Sequence, residues 1–170
     1  MSKVLSIGLC LPESNWGIIA TGHWGEGGVA LFHNGDFKVQ LDLPPALLDS
    51  LAILMDQAIR SGSDGRSFNA GYVTMDELCR RLKRRAPIPS DRMYLDPSHV
   101  SHYMHRLRKM LAAVLMGWEP KEWESVSVNS PEYKLAKRLL HKHKFLGYRV
   151  SIAADRLALD MQEDSDEEVA

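Results

Sequence analysis

The sequence predicts an α+β fold in which an antiparallel sheet is followed by three helices and a closing β-hairpin. Three observations carry that expectation. The first 42 residues break into short β-rich runs separated by glycine and asparagine. From Pro44 onward, apolar residues recur at helical rather than alternating spacing. Residues 139–152, "LLHKHKFLGYRVSI", return to apolar and aromatic runs around Gly147, the pattern of a hairpin. A chain of 170 residues, 45% hydrophobic and 25% charged, is long enough to bury its own core as one domain. The expected organisation is a single domain over 1–159, with a sheet part (1–42) and a helical and hairpin part (43–159). A disordered acidic tail over 160–170 is expected to follow, because that segment cannot bury enough apolar surface to order itself.

Each element has its own local cause. The runs "KVLSIGLCL", "WGIIATG", "GVALFH" and "FKVQLD" read as three or four strands, and Asn34-Gly35 is the strongest hairpin signal among them. "PPALLDSLAILMDQAIR" opens with two prolines suited to a first helical turn and places Leu47, Leu48, Leu51, Ile53, Leu54, Met55 and Ala58 at helical spacing. The turn-rich loop "SGSDGRSFNAG" ends it. Thr74 and Glu77 form the T-x-x-E pattern of a capping box before "MDELCRRLKRR", whose apolar stripe is Met75, Leu78, Cys79 and Leu82. Pro87 and Pro89 stop that helix. The third helix, 98–115, carries Val100, Met104, Leu107 and Leu111 within a narrow arc, and Ser98, His102, His105, Arg106 and Lys109 on the opposite one. The stretch "ESVSVNSPEYKLAKR" gives a weak signal, readable as a strand with a short helix or as a long connection.

Charge is unevenly distributed. Residues 160–170 hold six acids and no base, and between Thr74 and Arg149 there are 16 Lys and Arg against 8 Asp and Glu. That excess of +8 is where a polyanionic partner is expected. Two cysteines, Cys10 and Cys79, both in apolar-patterned segments and without a CxxC, favour buried thiols over a disulfide or a structural zinc. No apolar run is long enough to cross a bilayer, and no cleavage site follows the short apolar start, so a cytoplasmic protein without membrane attachment is expected.

The order of elements matches a winged helix-turn-helix preceded by a sheet, and two stretches resemble a family with that fold. "HVSHYMHRLRKML" is similar to the recognition helix of OmpR/PhoB-type bacterial regulators, V-x-x-x-I-x-R-L-R-K-x-L, with Val100, Met104, Arg106, Leu107, Arg108, Lys109 and Leu111 at its positions. "LLHKHKFLGYRV" resembles the family's wing and closing strand, with Gly147, Tyr148, Arg149 and Val150 in its G-Y-R-[LV] part. The resemblance spans about residues 28–152. It implies a sequence-specific double-stranded DNA-binding transcription regulator, with helix 98–115 in the major groove and hairpin 139–152 as the wing. Carried over by position, the DNA-binding residues are Ser98, His99, Ser101, His102, His105, Arg106 and Lys109 on the helix, and Lys142 and Lys144 on the wing. On an extended wing strand, His141 and His143 share one face and the two lysines the other, so one pair is expected to meet the duplex. Arg80, Arg81, Lys83 and Arg92 are expected to add phosphate contacts. The chain departs from the family where Ser98-His99-Val100-Ser101 replaces Arg-Thr-Val-Asp, where Phe145 replaces a wing glycine, and in about fourteen extra residues at 125–138. No receiver domain accompanies the module, so control by aspartyl phosphorylation is not implied within this chain.

Other chemistries fit less well. His99, His102 and His105 lie three apart, so successive rings rotate by about 60° around one helix and no thiol or carboxylate stands beside them in sequence to complete a metal site. No Gly-x-Ser-x-Gly elbow, phosphate loop or H-E-x-x-H occurs, which argues against an enzyme. No cofactor is expected. The competing expectation is a winged-helix protein-interaction module, an adaptor or subunit of a complex with weak or no DNA binding, docking a protein partner through the N-terminal sheet or the acidic tail.

Overall fold

The computed structural model describes residues 16–64, 70–86 and 92–162. The expected strand "KVLSIGLCL", Cys10, the prolines at 87 and 89, and positions 163–170 lie outside these residues. Three strands open the fold: β1 (Trp16–His23), β2 (Glu26–His33) and β3 (Asp36–Asp42). They pair antiparallel in sequence order. The β2–β3 turn is Asn34-Gly35, and both residues have positive φ (54° and 81°), as a two-residue turn matched to strand twist requires. Alternate residues Ile18, Ala20, Val29, Leu31 and Leu41 face the core.

Three helices follow. Helix α1 (Pro45–Ser61) starts on its prolines without a side-chain cap and ends at Gly62, which takes the left-handed conformation that satisfies the last carbonyls. Helix α2 (Met75–Arg85) is capped by Thr74, whose hydroxyl accepts from the Glu77 amide. Only half of the expected reciprocal box forms, because the Glu77 carboxylate is held by Arg80 and Arg81 instead. Helix α3 (Pro97–Leu115) buries Val100, Met104, Leu107 and Leu111 as the stripe predicts. The weakly patterned region that follows resolves into a 3-10 turn (Pro120–Ser125) and helix α4 (Pro131–Leu139), capped by the Ser130 hydroxyl accepting from the Tyr133 amide. A hairpin of β4 (Leu140–His143) and β5 (Gly147–Val150) comes next.

Two expectations are corrected. The N-terminal sheet is mixed, since β6 (Leu157–Gln162) returns to lie parallel to β1, giving the order β3-β2-β1-β6. Asp160, Met161 and Gln162 therefore belong to the sheet, although composition assigned them to the acidic tail. The reason is alternation: in "LALDMQ", Leu157 is buried, Leu159 and Met161 are partly buried against the core, and the acid between them points outward. Among the described residues, no helix is long and apolar enough to cross a membrane. The fold is thus α+β, a mixed sheet with helices and a C-terminal hairpin.

Candidate nucleic-acid interface

The start of α3 is fixed by side chains that the sequence assigned to a ligand. Asp96 caps the helix by accepting from the Ser98 and His99 amides, and the His99 ring reaches back to the Asp96 amide, completing a capping box. Hydrogen bonds from the Ser98 side chain and backbone hold the Asp96 carboxyl below the usual carboxylate range. His99 is consequently occupied as a capping residue. Ser98 and His102 are exposed on the outward arc, with Ser101 and Lys109 partly exposed beside them.

Farther along α3 the outward arc stays open at His105, as expected, while Arg106 is partly buried and both residues take up contacts within the fold. The Tyr133 hydroxyl of α4 bonds His105 Nδ1 at 3.2 Å, and the Arg106 guanidinium lies 5.2 Å from the ring centre of Trp123 in the 3-10 turn. Seven residues on from these two contacts, Ala112 and Ala113 are fully buried. A heptad returns nearly to the same face of a helix, so α4 and the 3-10 turn, which touch His105 and Arg106, bury that face only farther on, at Ala112 and Ala113. Alanine at both positions permits the close approach. The Arg106 Nε is buried with no hydrogen-bond partner, so Arg106 is a packed residue as well as a cation. Burial, then the nearby Lys109, Arg108 and His102, lower the His105 pKa. The outward arc is therefore open at Ser98, His102 and His105 and partly open at Ser101, Arg106 and Lys109.

The hairpin is locked in place from below. Arg108, buried on the flank of α3, donates from Nε and Nη2 to the Leu140 carbonyl at 2.9 and 2.7 Å. Tyr148 of β5 exchanges two backbone hydrogen bonds with Val73, immediately before α2. Gly147 is required there: its φ is +98°, and a Cβ would stand 2.0 Å from the Val73 oxygen. Arg149 donates to the Ala70 carbonyl and stacks 4.6 Å from the Tyr72 ring centre. The alternation of β4 is resolved by these contacts. His141 shares a 2.7 Å bond with the Tyr72 hydroxyl, and burial followed by Arg149, Arg108 and His143 lowers its pKa. His143 Nδ1 accepts from the Phe145 and Leu146 amides and so shapes the turn. Lys142 and Lys144 are the exposed pair, with Phe145 77% exposed at the tip. A cleft of about 300 Å³ joins this tip to the helices, lined by Thr74, Met75 and Asp76 at the start of α2, Pro97 at the start of α3, and Lys142, Lys144 and Phe145.

The expected phosphate contacts fare unevenly. Arg92 is corrected outright: its side chain is 7% exposed, its Nη2 lies 2.7 Å from Oδ2 of the fully buried Asp49, and its Nη1 donates to the Leu82 carbonyl. It joins α1 to the end of α2 and is closed to a ligand. Arg81 is tied to Glu77 and to Gln57, Arg80 is exposed but paired with Glu77, and Lys83 is partly buried. The sequence reading overlooked exposed Lys134, Lys137 and Arg138, which α4 displays opposite its buried Tyr133, Leu135, Ala136 and Leu139. The Ser130-Pro131 start and the spacing of those four residues are the signal that finds them.

Among the described residues, no group of three His, Cys, Asp or Glu is placed to hold a metal ion. Cys79 is a buried free thiol whose pKa burial raises. In comparisons with known proteins, the chain matches no family model, no curated protein and no solved structure.

Proposed function

We propose that this chain is a double-stranded DNA-binding transcription regulator of winged helix-turn-helix type, reading the major groove with the first turns of α3 and using the β4–β5 hairpin as its wing. The observation that carries the reading is the cleft shared by the starts of α2 and α3 and the hairpin tip. It sets two helix N-termini, which favour phosphate, beside the exposed Lys142 and Lys144. Ser98, Ser101, His102, His105 and Lys109 form the adjoining arc for base edges and phosphates. Phe145, exposed between lysine and the turn, suits contact with the apolar sugar edge of a minor groove. The test is fluorescence anisotropy on random-sequence duplex at two salt concentrations. Binding at low salt that falls steeply as salt rises is expected, and the variant Lys142→Ala/Lys144→Ala should flatten the log–log slope by about 2.

One observation favours a protein-interaction module instead: Arg92 and Arg106, two of the cations assigned to DNA, are engaged within the fold. Absence of binding at low salt selects that reading and discards the first.

A further inference from the structure

A second basic feature lies between α1 and α2 and has no part in the proposed DNA interface. It is a cleft of about 360 Å³ lined by Trp24, Ile53, Asp56 and Arg60 on one side and by Glu77, Arg81, Arg84 and Arg85 on the other. Four guanidinium groups face two carboxylates, an excess of +2 within a single concavity. The two carboxylates are already engaged, Asp56 by Arg60 at 3.0 Å and Glu77 by Arg80 and Arg81. The Arg85 guanidinium lies over the Trp24 ring, 4.3 Å from its centre. Guanidinium groups gathered in this way present planar donor forks that match carboxylates.

The chain itself arrives at this cleft. Strand β6 ends at Gln162, which pairs with His23 at the end of β1, and the Trp24 amide donates to the Gln162 carbonyl at 3.4 Å. Trp24 is thus both the residue that receives the end of β6 and part of the cleft lining. The next residues, 163–170, read "EDSDEEVA", with Glu163, Asp164, Asp166, Glu167 and Glu168 and no base.

We infer that the acidic segment 163–170 binds in the arginine-lined cleft between α1 and α2. Complementarity of charge and the point of attachment carry the inference together. At ~3.3 Å per extended residue, the six positions 163–168 reach roughly 20 Å. The guanidinium-bearing positions 81–85 of α2 span only about 6 Å of helix, so the carboxylates can lie along them. Individually exposed ion pairs are weak. Tethering within a few residues makes their encounter intramolecular, at an effective concentration in the mM range. The inference is independent of DNA binding, and its test involves no DNA.

The experiment compares amide, indole and arginine Nε–H NMR spectra of the ¹⁵N-labelled full chain with those of a neutral-segment variant, Glu163→Gln/Asp164→Asn/Asp166→Asn/Glu167→Gln/Glu168→Gln. The expected result is shift differences concentrated at the Trp24 indole and at Arg81, Arg84 and Arg85. These differences should vanish when both proteins are taken to about 1 M NaCl, where the screening length falls to ~3 Å. The full-length cleft variant Arg60→Glu/Arg84→Glu should reproduce the neutral-segment pattern at Trp24. If that variant does not fold, the neutral-segment comparison, which alters no residue of the sheet or helices, still decides. Differences confined to the neighbours of Gln162, or centred on Lys109, Lys142 and Lys144, would overturn the inference, as would spectra that do not differ.

Discussion

Replacing Arg92 by methionine separates a structural arginine from a ligand-contacting one. The substitution keeps most of the apolar stem and removes the guanidinium, leaving the Asp49 carboxylate at 0% exposure with the Gly25 amide, 2.7 Å away, as its remaining donor. Breaking a buried pair by removing one partner costs about 3–5 kcal/mol, against a total stability of ~5–15 kcal/mol for a typical domain. For a chain of this size each kcal/mol moves the thermal midpoint by ~2–4 °C, so a fall of roughly 6–20 °C is expected. The cost should depend on pH. Burial raises the Asp49 pKa, and Arg92 is one of the groups that oppose the rise. Without Arg92 the folded-state value rises further above the unfolded one. Between the two values the folded protein then holds more protons than the unfolded chain, so acidification favours folding of the variant. The deficit relative to wild type should narrow between pH 7 and pH 5. Asp49→Leu/Arg92→Met, which removes both charges, should recover part of the loss, falling short by about 1–3 kcal/mol for the orphaned Gly25 amide. Thermal melts followed by circular dichroism measure all three proteins. A fall under about 2 °C for Arg92→Met, or a deficit that widens on acidification, would refute the buried-pair reasoning and return Arg92 to the surface.

Three further outcomes are expected. His33, His105 and His141 all have pKa values lowered first by burial, so the unfolded chain binds protons that the folded one refuses; stability should hold above the unfolded value of ~6.5 and fall below it. Because Asp49 acts in the opposite sense at lower pH, urea midpoints at pH 7.5 and 6 are the comparison, and a higher midpoint at pH 6 would contradict the assignment. Gly147→Ala should destabilise by at least about 2 kcal/mol, combining positive-φ strain with the clash at Val73; a midpoint within error of wild type would show that the hairpin does not sit on Val73. Trp123→Ala should release the Arg106 guanidinium from a contact worth about 0.5–2 kcal/mol. If the DNA reading holds, low-salt affinity rises in anisotropy titrations, whereas a loss would mean that the stacked conformer is the binding one.

Where structure follows from neighbours in sequence, the chain was readable. Asn34-Gly35 fixes a turn by its own φ preferences, Pro44 and Pro45 start α1, and the Val100, Met104, Leu107 and Leu111 stripe sets which face of α3 is buried. What escaped reading depends on partners far along the chain. Nothing near Arg92 announces that Asp49 lies beside it, and nothing in "HRLRKML" shows that Tyr133 and Trp123 will take up His105 and Arg106. Strand β6 was hidden for a related reason: its acid content outweighed its alternation, and its pairing partner lies at the other end of the described chain. Of the candidate site, the lysine pair on β4 and the first turns of α3 were legible. The contacts that α4 and the 3-10 turn make with His105 and Arg106 were not, because they join residues well apart in the chain.

The parallel pairing of β6 with β1 also dictates when the protein can finish folding. Ile18 meets Leu157 across almost the entire described chain, a contact whose loop-closure entropy must be met before it returns any stability. Of the described strands, β1, β2 and β3 emerge first and can pair among themselves, yet among the described residues the outer edge of β1 gains its partner only when Leu157–Gln162 leaves the ribosome. From β1 to the arrival of β6, a nascent chain therefore carries a row of open amides and carbonyls on a β-branched, isoleucine-bearing strand. Truncations that stop short of Leu157 should accordingly associate through that edge, which makes the last few residues of the sheet a safeguard for the first.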